Sequence, residues 1–161
     1  MPENQIHFLL LIILANAAPV ILAVLLKDKL AVPLDFGSKL PDRRPVFGES
    51  KTWRGIVGAI VVTAAVAAAF GYGATAGAQI AAYAHIGDLF SSFIKRRLGM
   101  APSSMAPLLD QVPESLFPAV MMRQVFSLDV QSIIVLVSSF IVLELLLSWI
   151  FFRLGIRKRP Y

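Results

Sequence analysis

Most of this chain is too apolar to be left in water. Residues 6–26, 55–73, 74–94 and 130–152 are apolar runs close to the length a bilayer demands, since a hydrocarbon core of ~30 Å takes roughly 20 residues of helix. With 57% hydrophobic and only 16% charged residues among 161, a soluble domain of this size could not hide that surface. The expected fold is therefore all-α: a polytopic integral membrane protein forming a single unit over residues 1–161. Ala15-Asn16-Ala17 has the look of a signal-peptidase site. However, the preceding segment holds Glu3 and no Lys or Arg, and the apolar run continues past it, which reads as a retained helix.

Charge bias fixes the number of crossings. Residues 112–128 are ambiguous by hydropathy, being short and carrying Pro113, Glu114, Pro118 and Arg123. If they cross, the polar segments 27–54 and 95–111 and the tail 153–161 all face one side. That side then holds fourteen of the fifteen Lys and Arg residues, as the positive-inside rule requires. Four crossings would leave the basic tail outside. Five helices follow, with the N-terminus outside and the C-terminus and two polar loops in the cytoplasm. The net charge of +5 sits at the ends of apolar runs, so it marks topology and phosphate or lipid ligands and does not indicate nucleic acid. Cysteine is absent and His7 and His85 stand far apart, which removes disulfides, thiol nucleophiles and any recognisable zinc motif.

One stretch combines burial with chemistry. In His85-Ile86-Gly87-Asp88-Leu89-Phe90-Ser91-Ser92-Phe93-Ile94-Lys95-Arg96-Arg97, helical spacing puts His85, Asp88, Ser92 and Lys95 on one face. Asp88 then lies roughly 10 Å deeper than Lys95. An acid at that depth is by default a functional group; the bland alternative is a helix ending in interfacial anchors, with Asp88 paired to a neighbouring Arg. The loop Gly48-Glu49-Ser50-Lys51-Thr52-Trp53-Arg54-Gly55 lacks the first glycine and the strand of a nucleotide-binding P-loop. What it does offer is a pair of bases, Lys51 and Arg54, with hydroxyls at a helix mouth. That suits a phosphate chain, or equally anionic lipid headgroups. Bases in such a loop are expected to contribute to ligand binding and little to folding. Asp88, Asp110 and Glu114 are three carboxylates near the same face. Such acids, with substrate phosphates, can hold Mg²⁺ for phosphoryl or nucleotidyl transfer. Glu114 also fits a simple helix N-terminal charge beside Pro113. No serine-hydrolase triad or glycosidase pair is present.

Three motifs in order, Gly48-x-Ser50-Lys51-Thr52-Trp53-Arg54-Gly55, Gly87-Asp88-Leu89-x-x-Ser92-Phe93-Ile94-Lys95-Arg96-Arg97 and Pro107-x-Leu109-Asp110-Gln111, resemble the CDP-archaeol synthase family. That family is similar to the wider CDP-diacylglycerol synthases, and the likeness covers nearly the whole chain. It implies transfer of CMP from CTP to a lipid phosphate, archaeol-type or phosphatidic acid, with Mg²⁺, yielding a CDP-activated lipid and pyrophosphate. Ser92, Lys95 and Arg96 match the shared Ser…Lys-Arg element, and Asp110 matches the first acid of the C-terminal signature. The second acid of that signature is displaced to Glu114 or lost, and the loop 100–106 lacks the wider family's glycine-rich character.

On this resemblance Asp88, Ser92, Lys95, Arg96 and Asp110 are the expected catalytic residues. Lys51, Thr52, Arg54, Arg97 and Gln111 are expected to bind substrate, and Asp110, Asp88 and Glu114 to hold the metal. The expected partners are CTP, the lipid phosphate and membrane lipids, and a homodimer is compatible with all of this. A rival reading is a small transporter with an intramembrane path through Asp88, Arg123 and Glu144. Another is a non-catalytic subunit whose bases bind lipid headgroups.

Overall fold

In a computed structural model, described here for residues 1–101, 104 and 106–155, the chain forms five helices. They are α1 (Glu3–Leu26), α2 (Trp53–Ala69), α3 (Ala74–Arg97), α4 (Gln111–Met121) and α5 (Val130–Arg153). The tail bases Arg157, Lys158 and Arg159, and part of the loop 100–106, lie outside the described residues.

The helices alternate in direction, and side chains at both ends show it. Gln5 of α1 donates to Ser132 of α5 at 2.6 Å, and Asn4 donates to the Phe126 carbonyl at 2.6 Å. His7 stacks on Phe70, just past the end of α2. At the opposite end, Arg44 of the first polar segment donates to the Arg97 carbonyl at the end of α3. The two polar segments therefore meet at one end of the bundle, and the described chain starts and finishes at opposite ends.

Among the described residues, α1 and α5 are long and apolar enough to cross a membrane unaided. Helix α5 buries only Leu136, Phe140 and Ser148 and leaves Ile134, Val142 and Leu146 exposed, which is the surface of a helix in lipid. Helix α2 is shorter, at 17 residues, and α3 is long but carries polar groups. Helix α3 continues to Arg97, three residues beyond the expected end. The basic run Lys95-Arg96-Arg97 thus forms its last turn, where the helix dipole favours cations.

The fourth crossing differs from a full-length helix over 112–128. Helix α4 has 11 residues, about 16 Å, far short of a bilayer. Pro113 is tolerated in the first turn because its missing N–H is one of the unpaired donors there, whereas Pro118 breaks the ladder farther on. The short helix suffices because it starts within the fold. Gln111 bonds to Glu144, nine residues (~13 Å) before the end of α5. The turns after Met121 complete the passage, ending where Phe126 packs on Phe8 and Tyr72. Irregular backbone at that depth is permitted where protein covers it.

Small residues bring these backbones together. A Cβ on Gly77 would run into the Thr63 carbonyl and Ala64 of α2, and one on Gly87 into the backbone of Pro113 and Glu114. The latter contact is what lays the start of α4 directly beside Asp88.

Candidate active site

The first polar segment reaches the site as a folded loop. Asp35 organises it: its carboxylate accepts from the amides of Gly37 (3.0 Å), Phe47 (2.9 Å) and Gly48 (3.0 Å). Burial pushes the Asp35 pKa up, but these three amides outweigh it and hold the carboxyl below its ordinary 3.8. Thr52 caps α2, its hydroxyl accepting from Gly55 N at 3.2 Å. That cap leaves Lys51 pointing at α3.

There Lys51 Nζ meets both oxygens of Asp88, at 2.5 and 2.6 Å. Asp88 also lies within hydrogen-bonding reach of Glu114 from α4. Two acids this close require a shared proton or a cation between them. Burial alone would lower the pKa of Lys51; Asp88, Glu114 and Asp110 together outweigh it and hold the ammonium above the usual lysine range. Three acids from two elements thus surround one amine. His85, a turn deeper on the same face, has a buried Nε2 without a hydrogen-bond partner among the described residues.

A second pair closes the mouth. Lys95 Nζ stands 2.7 Å from Asp110 Oδ1 and donates to the Ser104 carbonyl at 2.9 Å. Asp110 Oδ2 accepts from Ala106 N at 2.9 Å. Arg96 is only 3% exposed and donates through Nη2 to the Ala101 carbonyl at 2.9 Å. Its buried Nε and Nη1 have no protein partner among the described residues. Buried guanidinium donors without acceptors are costly unless a ligand or water supplies one. Ser92 is buried between the two pairs, on the face it shares with Asp88 and Lys95.

Ten of the eleven residues read from sequence converge here or frame the site: Lys51, Thr52, Asp88, Ser92, Lys95, Arg96, Asp110 and Glu114 cluster, while Gln111 and Arg97 brace it. The amide of Gln111 is committed to Glu144 at 2.8 Å and to Leu108 N at 2.8 Å. Arg97 clasps the two polar segments, donating to Asp42 at 2.7 Å and to the carbonyls of Pro45 and Arg44. Arg54 is turned away, its guanidinium donating to the carbonyls of Lys27 and Lys29. Asp35 and the bracing role of Glu144 were not anticipated. The Asp35-Phe36-Gly37 step is an Asx-turn signature that marks the former; the acid in the apolar run 130–152 marks the latter. Arg123 is exposed at the far end of the bundle, where the core is Phe8, Leu11 and Phe126. No charged path runs through the full depth of the described residues, and the transporter reading loses its basis.

A helical bundle with lipid-facing flanks, holding buried acids, bases and an open guanidinium at one end, is the architecture of an intramembrane enzyme that handles anions. The profile of the CarS-like family, CDP-archaeol synthase, matches residues 3–72 and 68–161. The chain belongs to the CDP-archaeol synthase family. It is 38% identical over 119 residues to the CDP-archaeol synthase of Hyperthermus butylicus, covering 69% of this chain and 67% of that one. It is 40% identical over 108 residues to that of Pyrococcus abyssi (60% and 61% covered). To the Sulfolobus acidocaldarius synthase it is 28% identical over 149 residues (83% and 85%). A solved structure described as an intramembrane enzyme for archaeal membrane lipids biosynthesis superposes with a TM-score of 0.74 at 31% identity, covering 89% of this chain and 91% of that one.

Proposed function

We propose that this protein transfers CMP from CTP to a lipid phosphate, that the lipid is archaeol-type, and that the chemistry occurs in the nest around Lys51, Asp88, Lys95 and Asp110. The observation that carries the assignment of the site is the arrangement of Arg96: a buried guanidinium whose Nε and Nη1 have no partner among the described residues, beside two acid–base pairs. An anionic ligand or water would satisfy those donors. In the reaction, an oxygen of the lipid phosphate attacks the α-phosphorus of CTP, the α–β bridging P–O bond breaks, and pyrophosphate leaves. The nucleophile is already anionic, so the chain needs no covalent intermediate and little base catalysis. Its residues act by positioning and by neutralising charge.

The acids suit Mg²⁺. Asp88 and Glu114 present hard oxygens at hydrogen-bonding reach of each other, next to Asp110. Among the described residues no three acids or histidines converge on a single point. The protein would then supply one or two carboxylates, which is how Mg²⁺ is usually held together with substrate phosphates. When bound, the ion offsets charge on the phosphate oxygens. Lys51, Lys95 and Arg96 do the same from the protein side, and Ser92 can donate to a phosphate oxygen from between them. The basic segments support a topology with this end of the bundle in the cytoplasm, where CTP is found, and the N-terminus outside.

The test is direct. Purified protein in detergent should bind CTP in a Mg²⁺-dependent manner and transfer label from α-labelled CTP to an isoprenyl-ether lipid phosphate in preference to phosphatidic acid. Binding without transfer to either lipid would reject the reaction; equal transfer would reject the lipid preference.

A further inference from the structure

Glu144 sits in the wrong place for a helix in lipid. It lies well inside α5, with Leu143 and Leu146 exposed on either side of it, and an acid at such a depth is expensive unless held by a partner. One partner is Gln111, whose Nε2 donates to Glu144 Oε2 at 2.8 Å. The other end of the same amide holds the loop that carries Asp110, accepting from Leu108 N at 2.8 Å.

That loop needs holding. Leu108 has φ +67°, a left-handed conformation that is unfavourable for any residue with a Cβ. Two backbone bonds, Asp110 N to the Ala106 carbonyl (3.0 Å) and Val112 N to the Leu108 carbonyl (3.0 Å), shape the turn. Two side-chain bonds, from Asp110 to Ala106 N and from Gln111 to Leu108 N, close it. An amide that is free to rotate can swing away from Leu108. One whose NH₂ is pinned to a carboxylate cannot, since both ends of the planar group are then fixed.

We propose that Glu144 is a positioning residue for the active site: through Gln111 it locks the 106–111 turn and so sets the place of Asp110 opposite Lys95. The catalytic consequence rests on the function proposed above; the structural consequence does not. This link gives helix α5 a role beyond closing the bundle.

Two variants separate a hydrogen-bond role from a charge role. Glu144→Gln keeps an acceptor for Gln111, and Glu144→Leu removes it. Amide hydrogen exchange of the 106–111 turn in detergent should rise about tenfold or more in Glu144→Leu and stay near wild type in Glu144→Gln. With CTP and lipid phosphate, kcat should fall about tenfold or more in Glu144→Leu with a smaller change in KM, since misplacement weakens transition-state contacts, and Glu144→Gln should recover it. Combining Glu144→Leu with Gln111→Met should cost no more in exchange than Gln111→Met alone, because Gln111→Met already removes the bond to Glu144 along with the one from Leu108 N. Unchanged exchange in Glu144→Leu overturns the proposal, as does Glu144→Gln behaving like Glu144→Leu. If Glu144→Leu does not fold, Glu144→Met removes the same acceptor while keeping the side chain's length, and wild-type exchange there overturns it equally. A wild-type protein that transfers no CMP fails the functional reading while leaving the exchange result intact.

Discussion

Lys51 combines two roles that the sequence suggested were separate. A loop base at a phosphate site is expected to add little to folding, yet this one neutralises Asp88 and faces Glu114 and Asp110. Lys51→Met should therefore lower the melting temperature in detergent as well as CTP binding. Breaking a buried pair costs about 3–5 kcal/mol; both side chains retain some solvent contact, which places this one at or below the lower end. Lys51→Arg should keep most of the stability, and an unchanged melting temperature in Lys51→Met would remove the pair's structural role. Asp110→Asn keeps the shape that accepts from Ala106 N but loses the charge. Turnover should fall roughly 10²–10³-fold, the usual loss for one transition-state electrostatic contact, and extra Mg²⁺ should restore part of it. Glu114→Gln discriminates between the readings of the displaced acid. As a metal ligand it shifts the Mg²⁺ dependence in the same direction as Asp110→Asn; as a helix N-terminal charge it costs under about 1 kcal/mol and leaves that dependence alone.

At the level of elements, the first polar segment and α4 stand out, because neither follows from hydropathy. Asp35 ties the loop by three amides, and its carboxyl titrates below 3.8. A depressed acid stabilises the fold fully above the unfolded-state pKa and loses that contribution as pH falls through the folded-state value. Proteolysis of the 35–48 loop should accordingly be slow at neutral pH and accelerate below about pH 4. Asp35→Asn should cost roughly 1–3 kcal/mol and flatten this dependence; a loop equally protected at both pH values would contradict it. Helix α4 depends on Gly87, where any Cβ meets the Pro113 backbone. Gly87→Ala should destabilise by about 1–3 kcal/mol, as overpacking does, and displace Glu114 from Asp88. Ile86→Ala, exposed on the same turn, should cost far less.

For the whole molecule, alternating helix directions bring both polar segments to one end, and in the proposed topology that end faces the cytoplasm. The absence of cysteine allows single reporters without background. In sealed vesicles of known orientation, a cysteine at Ser38 should react with an impermeant reagent only from the cytoplasmic face, and one at Ala74 only from the other. Reaction of both from one side would break the topology.

Periodicity and charge in the chain were enough to establish a membrane bundle with five elements and to point to Lys51, Asp88, Ser92, Lys95, Arg96 and Asp110. The reason is that lipid imposes long apolar runs and helical spacing places Asp88, Ser92 and Lys95 on one face. The family, too, was legible in three short motifs. Contacts between residues distant in the chain could not be read this way. That Lys51 pairs with Asp88, 37 residues away, depends on the cap at Thr52 and the fold of the loop around Asp35. That Arg54 leaves the site while Arg97 clasps two segments depends on which carbonyls lie within reach. The start of α4 lies beside α3 and α5 where Gly87 admits the backbone of Pro113 and Glu114 and Glu144 accepts from Gln111. Local pattern encodes which face a residue occupies; only packing decides what it meets there, because a partner's position is set by every element between the two.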